Sequence, residues 1–281
     1  MITTSTVAAT RARVKEYHAA GEPIGLVTTM GALHEGHLTL MRAARDNHDR
    51  VMATIFVNPT QFGQMADLAT YPSDDKRDLR MLTDEGVDCV FLPKAPTIYP
   101  AGDETIVEAT RMSNMLHGKV RPGHFRGVTT VVARLFNIVQ PDAAYFGEKD
   151  YQQLQIIKKM VRDLHMPLTI HGVSTVREDD GLAMSSRNVR LGAQDRKAAT
   201  VLHKSLMAAE AAATKGTTVE DMWSVIADMI TAEPRATLKA VDIVQAESLD
   251  PVSGPLTGPT AIMISAEFGD VLLIDQHVVT P

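Results

Sequence analysis

The chain has 281 residues, 44% of them hydrophobic, with 28 Lys and Arg against 34 Asp and Glu for a formal net charge of −6. That length allows one or two domains with a sizeable core, and the acidic balance argues against a general nucleic-acid binder, which carries a basic excess. The single cysteine, Cys89, excludes an internal disulfide and sits in an apolar run, so it reads as core packing in a reducing compartment.

The N-terminal residues hold Arg11, Arg13, Lys15 and Glu16 rather than a secretory apolar core. No run approaches the roughly 20 apolar residues of a membrane span. The expected setting is cytoplasmic, with no membrane partner.

Residues 5–20 place Val7, Val14 and Tyr17 among alanines and charges and predict a helix, ended by Gly21-Glu22-Pro23. An apolar strand follows at 24–27, then a turn of small residues at 28–32. A helix pattern begins there, with Leu38, Met41 and Ala44 on one face. The run 51–57 is continuously apolar, as suits a central parallel strand covered on both faces, and Asn58-Pro59-Thr60 breaks it. An amphipathic helix is expected over 74–85, a strand at 89–92, and a proline-marked loop through Pro93, Pro96 and Pro100. Residues 121–127 read as a loop or lid, 128–139 as a helix, and 143–146 as a strand ending at Gly147. Helical spacing resumes over 151–164, and a strand follows at 168–173.

Strands alternating with helices imply a parallel α/β sheet, whose ligands bind at the carboxyl ends of strands. The polar clusters at 34–37, 58–61 and 147–150 each follow a strand and could converge on one crevice. After Val176 the texture changes: a polar loop, an alanine-rich helix over about 196–214, a helix at 219–231, and strands at 238–245, 261–268 and 271–275. The reading is a parallel α/β domain over 1–175 and a smaller α+β C-terminal domain over 176–281.

His34 and His37 stand three apart at a strand-to-helix junction, with Gly36 between them. A helix start gathers unpaired N–H groups and positive potential, so this junction suits phosphate. The spacing lacks the two intervening residues of the zinc-protease pattern. A capping histidine beside a surface histidine is the competing reading. Lys149, in Gly147-Glu148-Lys149-Asp150, is a point charge able to reach phosphate oxygens, or part of a solvated loop. Met184-Ser185-Ser186-Arg187 offers hydroxyls and a guanidinium to a leaving pyrophosphate, or is a serine-rich turn. Asn58, Gln61 and Gln153 are neutral amides suited to hydroxyl and carboxylate recognition. Asp74, Asp75 and Asp78 could hold Mg²⁺ or simply favour a helix dipole. No Gly-x-Gly-x-x-Gly follows the first strand, against a nicotinamide enzyme.

Taken in order, five stretches resemble the pantothenate synthetase, or pantoate–β-alanine ligase, family: 29–37, 55–62, 121–125, 146–153 and 180–188. The resemblance covers most of the chain. It implies a Rossmann-like domain, a smaller C-terminal domain, a homodimer, and ATP with Mg²⁺. It places ATP on Met30, Gly31, Ala32, Leu33, His34, Glu35, Gly36 and His37. Further ATP contacts fall on Gly147, Glu148, Lys149, Asp150, Val176, Met184, Ser185, Ser186 and Arg187. Pantoate falls on Gln61 and Gln153, with Asn58 and His124 beside them, and β-alanine near Gln61. His37 becomes the general acid, His34, Lys149 and Arg187 its catalytic companions, and Asp78 the one acidic position for the metal. The implied reaction joins pantoate to β-alanine through a pantoyl adenylate, releasing pyrophosphate and AMP. Thr28 departs from the family's usual proline and Thr60 from its frequent methionine. Another adenylyl-transferring enzyme of the same superfamily and a non-catalytic nucleotide-binding module are the alternatives.

Overall fold

The computed structural model describes residues 1–63, 68, 71–213 and 216–281. The chain divides into two compact units, Met1–Gly147 with Gln152–Val173, and Glu148–Tyr151 with Ser174–Pro281.

The first unit is built on a parallel sheet whose order among the described residues is β1-β4-β3-β2-β5-β6. Its strands are β1 (Ile2–Thr4), β2 (Ile24–Thr29), β3 (Arg50–Ile55), β4 (Cys89–Phe91), β5 (Ala143–Gly147) and β6 (Thr169–Val173). The order runs outward from β2 through β3 on one side and through β5 on the other. The carboxyl ends of β2 and β5 therefore flank the switch point, where α/β sheets take their ligands.

Side chains alternate across the sheet and separate two cores. Ile24, Leu26, Met52, Cys89, Phe91, Ala144 and Phe146 pack on one face under helices α1 (Val7–Ala19), α6 (His124–Val139) and α7 (Tyr151–Asp163). Val27, Val51, Ala53, Ile55, Val90 and Tyr145 pack on the other under α2 (Glu35–Arg45) and α3 (Asp75–Asp84). The short helices α4 (Ala95–Ile98) and α5 (His117–Val120) lie in the connection between β4 and α6.

The second unit has an antiparallel sheet of β7 (Ala236–Gln245), β8 (Thr260–Phe268) and β9 (Val271–Val279). Helices α8 (Ala193–Ala198), α9 (Val201–Ala212) and α10 (Val219–Thr231) share its core through Leu202, Leu206, Met222, Ile226 and Ile230. A Thr218–Asp221 capping box opens α10.

One strand is unforeseen and three expectations change. The three-residue strand β1 pairs with β4, and its shortness hid it from any pattern. The stretch 121–127 is no free loop: His124 starts α6 after Gly123, whose φ is +81°. The alanine-rich helix is two helices, interrupted at Ala199-Thr200 where the Thr200 hydroxyl donates to the Lys197 carbonyl at 2.9 Å. Its expected end, Thr214, lies outside the described residues. The last strand runs on to Val279. No helix among the described residues is long and apolar enough to cross a membrane.

Candidate active site

The turn after β2 is held from below. Thr29 Oγ1 donates to the Thr54 carbonyl at 2.8 Å and accepts the Gly31 N–H at 3.3 Å. Gly31 and Ala32 then adopt φ of +82° and +51°, a left-handed conformation that is costly for alanine. Asp78, on α3, compensates. Its Oδ2 accepts the Ala32 N–H at 2.7 Å and its Oδ1 the Leu33 N–H at 3.0 Å. Arg77 donates to the Leu33 carbonyl at 3.0 Å. This pinned turn delivers His34 to the start of α2.

His34 is the N-cap, and its Nδ1 accepts the Gly36 N–H at 3.2 Å. His37 Nδ1 in turn accepts the His34 N–H at 3.3 Å, completing a capping box of two histidines. The ring centroids are 4.1 Å apart. With each Nδ1 accepting, the neutral rings carry their proton on Nε2, as a phosphate or carbonyl donor requires. Glu35, at the first helical position, commits its carboxylate to Arg42, so its backbone N–H is the part suited to an anion.

The turn after β3 lies beside this one. The Phe56 N–H donates to the Thr29 carbonyl at 3.0 Å. Asn58 caps a 3₁₀ turn, Pro59–Gln61. The Gln61 amide donates from Nε2 to Met30 Sδ at 3.2 Å, so the expected carboxylate-reading amide and the nucleotide turn are in direct contact. His124 Nδ1 donates to the Gln61 backbone carbonyl at 2.9 Å. Gly127, one turn along α6, must be glycine: a Cβ there would stand 2.5 Å from the Thr60 carbonyl oxygen. Gln153 sits half-buried on the first turn of α7. Its neighbour Gln152 is structural, donating to the Met112 and Met115 carbonyls at 3.0 and 2.8 Å.

In the second unit Lys149, on the 3₁₀ turn Glu148–Asp150, shares a small cavity with Ser185, Arg187, Asn188 and Asp275. Glu148 is half-buried and Asp150 exposed. The segment carrying the serines is anchored at its base. Met184 N–H donates to the Val176 carbonyl at 2.9 Å. Arg177 makes a two-pronged pair with buried Asp275 at 2.7 and 3.0 Å. Arg196 grips Asp180 and Glu178, and that guanidinium holds the Asp180 carboxyl below the usual range. Above these anchors Ser185 Oγ accepts the Arg187 N–H at 3.2 Å, Ser186 is half-buried, and the Arg187 side chain is exposed.

A family model described as pantoate-beta-alanine ligase matches residues 2–278. The pantothenate synthetase of Rhizobium meliloti is 48% identical over 282 residues, covering 100% of this chain and 97% of that protein. The pantothenate synthetase of Heliobacterium modesticaldum is 50% identical over 266 residues, or 94% of each. This chain belongs to the pantoate–β-alanine ligase family. The solved pantothenate synthetase of Thermus thermophilus superposes with a TM-score of 0.93 at 44% identity over the whole of both chains. A Francisella tularensis pantoate–β-alanine ligase, solved in complex with beta-gamma ATP and beta-alanine, superposes at 0.79 with 33% identity, covering 99% of this chain and 97% of that one. Membership makes the chain an enzyme, a ligase of pantoate and β-alanine.

Two expected ligands of the family's substrates do not fit direct contact. Asp78 is fully buried and both its oxygens already accept backbone N–H groups, which leaves a poor ligand for Mg²⁺, an ion that demands near-ideal octahedral geometry. Among the described residues no three His, Cys, Asp or Glu side chains group to hold a metal. Asn58 is 1% exposed, and its amide is spent on protein partners. Sequence reasoning missed Tyr99, whose hydroxyl donates to Asn58 Oδ1 at 2.7 Å. It also missed Arg77 and the Arg177–Asp275 pair. None stands in a motif, and each meets its partner across the fold or on a neighbouring helix.

Proposed function

We propose that this chain ligates pantoate and β-alanine in two half-reactions. In the first, a pantoate carboxylate oxygen attacks the α-phosphorus of ATP. A P–O bond forms, the bond to the β-phosphate oxygen breaks, and its electron pair leaves with pyrophosphate. In the second, the β-alanine amine attacks the acyl carbon of pantoyl adenylate. A C–N bond forms, the C–O bond to phosphate breaks, AMP departs and the amine loses a proton.

The observation that carries this assignment is the 3.2 Å contact between Gln61 Nε2 and Met30 Sδ. It sets a carboxylate-reading amide against the phosphate-reading turn, which is where an attacking carboxylate must meet a nucleotide. Met30, Gly31, Ala32, Leu33, Glu35 and Gly36 form the turn and helix start assigned to ATP, with the Gly31, Ala32, Leu33 and Gly36 N–H groups bonded within the protein and the Glu35 N–H offered to phosphate. His34 and His37 donate from Nε2, with His37 the proton donor of the chemical step. Gly147, Glu148, Asp150 and Val176 are further ATP residues on the strength of the family resemblance. Lys149, Met184, Ser185, Ser186 and Arg187 offset the phosphate charge that builds up as pyrophosphate leaves. Gln61 and Gln153 hold pantoate, and Gln61 also borders β-alanine. Asn58 supports pantoate through Gln61 rather than by contact, and half-buried His124, bonded to the Gln61 carbonyl, stands with Gln61 as a pantoate residue. The smaller C-terminal domain, from about residue 176, serves as the closing part that keeps the adenylate from water.

Mg²⁺ accompanies ATP as its counter-ion, held by phosphates and water. The family resemblance supports a homodimer, and the lone buried cysteine a cytoplasmic setting. An AMP-release assay tests the assignment. AMP must appear as β-alanine is consumed and must depend on pantoate. Sustained AMP release without pantoate would contradict it.

A further inference from the structure

An amide side chain has nearly the same shape in either of two orientations, but its two ends read opposite ligands: the NH₂ end seeks oxygens and the carbonyl end seeks donors. For Gln61 the orientation decides whether the side chain attracts or repels a carboxylate. The surrounding hydrogen bonds determine it.

The anchors are groups with no choice of role. The Gly127 carbonyl can only accept, and Asn58 Nδ2 lies 3.2 Å from it. The Thr60 N–H can only donate, and Asn58 Oδ1 lies 3.4 Å from it. Reversing Asn58 would set oxygen against oxygen at one end and N–H against N–H at the other, in a residue that is 1% exposed and has no water to rescue it. Tyr99 and Thr60 hydroxyls reinforce the same sense, reaching Oδ1 at 2.7 and 3.0 Å. Tyr99 is itself steadied by Arg134, 4.6 Å above its ring, and Arg134 is gripped by Asp103 at 2.8 Å. The second Asn58 Nδ2 hydrogen then faces Gln61 at 3.0 Å, where only Oε1 can accept it.

We propose that Asn58, held by Tyr99 and Thr60, is a positioning residue that locks Gln61 with its NH₂ end toward pantoate, so that the pocket selects an acceptor oxygen there. Thr60, where the family often has methionine, adds a hydroxyl to the lock in this chain. The inference rests on the reading of Gln61 as a pantoate contact.

The test is a double-mutant cycle in pantoate KM on the full-length enzyme, with ATP KM and melting temperature measured alongside. Asn58→Ala is expected to raise pantoate KM about tenfold, the effect of one lost hydrogen bond, with ATP KM changed less than about twofold. In a Gln61→Ala background the same change is expected to add less than about twofold, because the residue being positioned is gone. Gln61→Glu keeps an oxygen for Asn58 but removes the donor, so it must raise pantoate KM at least as far as Gln61→Ala. Additive effects of Asn58→Ala and Gln61→Ala would overturn the positioning role, as would better pantoate binding by the Glu variant than by the Ala variant. An unchanged pantoate KM in Gln61→Ala would instead overturn the underlying assignment of Gln61. Should Asn58→Ala not fold, Tyr99→Phe removes one donor from the lock. A pantoate KM rise that vanishes in the Gln61→Ala background supports the proposal, and no rise overturns it.

Discussion

Replacing Asp78 distinguishes a carboxylate that builds the nucleotide turn from one that binds metal. Its two oxygens accept the Ala32 and Leu33 N–H groups at 2.7 and 3.0 Å. Hydrogen bonds to a charged group contribute about 1.5–3 kcal/mol each, so the pair sums to about 3–6 kcal/mol. Leu33 is buried and Ala32 half-buried, so water can re-satisfy only one of the two donors. Asp78→Ala should therefore cost about 3 kcal/mol, the lower end of that range. A domain of ordinary stability, about 5–15 kcal/mol, survives such a loss. The turn does not survive intact, because the two bonds that offset the cost of holding Ala32 at φ +51° are gone. A displacement of roughly 1 Å in a positioning element costs about 10² in rate, so kcat/KM for ATP should fall by about that factor. The assay is thermal melting together with initial rates over a Mg²⁺ titration at fixed ATP. Melting temperature and kcat/KM should both fall, and the half-saturating Mg²⁺ concentration should stay put. An unchanged melting temperature with a Mg²⁺ requirement raised tenfold or more would refute the reasoning and make Asp78 a metal ligand.

Three further outcomes follow from the geometry. Gly127→Ala places a Cβ 2.5 Å from the Thr60 carbonyl oxygen and 2.8 Å from Gln61 Cα, so it should cost about 1–3 kcal/mol and raise pantoate KM. Unchanged melting and KM would show that the two backbones part without consequence. Lys149→Ala should slow adenylation by about 10²–10³, the typical cost of losing one preorganised charge contact, while the melting temperature holds; unfolding instead would make Lys149 structural. Burial, with Arg177 nearby, lowers the His203 pKa from its ordinary 6.5, and its Nδ1 is buried without a hydrogen-bond partner. The folded state then binds fewer protons than the unfolded one just below pH 6.5. The stability from keeping this ring neutral is present above that pH and is lost as pH falls through the lower folded value. His203→Gln should flatten the fall in melting temperature as pH drops below about 6.5, and an unaltered slope would assign the acid sensitivity elsewhere.

The central strands of the parallel sheet were legible because they are short and apolar and are punctuated by Gly, Pro and Asn. The run 51–57 is an example: five of the six β3 residues are buried, as a strand covered on both faces demands. The strand-to-helix junction at His34 was legible for the same reason, since a change of period marks it. What escaped the sequence depends on encounters across the fold. Asp78 lies 45 positions from Leu33, and Tyr99 lies 41 from Asn58. An aspartate in a first helical turn looks the same in sequence whether it caps a dipole, holds a metal or braces a distant turn. Asn58 looked like a contact because neutral amides recognise ligands, and only its burial shows that its partners are internal. The start of α6 was misplaced because Gly123 and Gly127 resemble loop glycines. One of them is a left-handed cap, and the other makes room for the Thr60 carbonyl.

The central claim is that pantoate is activated as an adenylate before the amine arrives. Isotope exchange between labelled pyrophosphate and ATP tests it most directly. Exchange should require pantoate and proceed without β-alanine. Absence of exchange under those conditions, in enzyme that turns over normally once β-alanine is added, would contradict it.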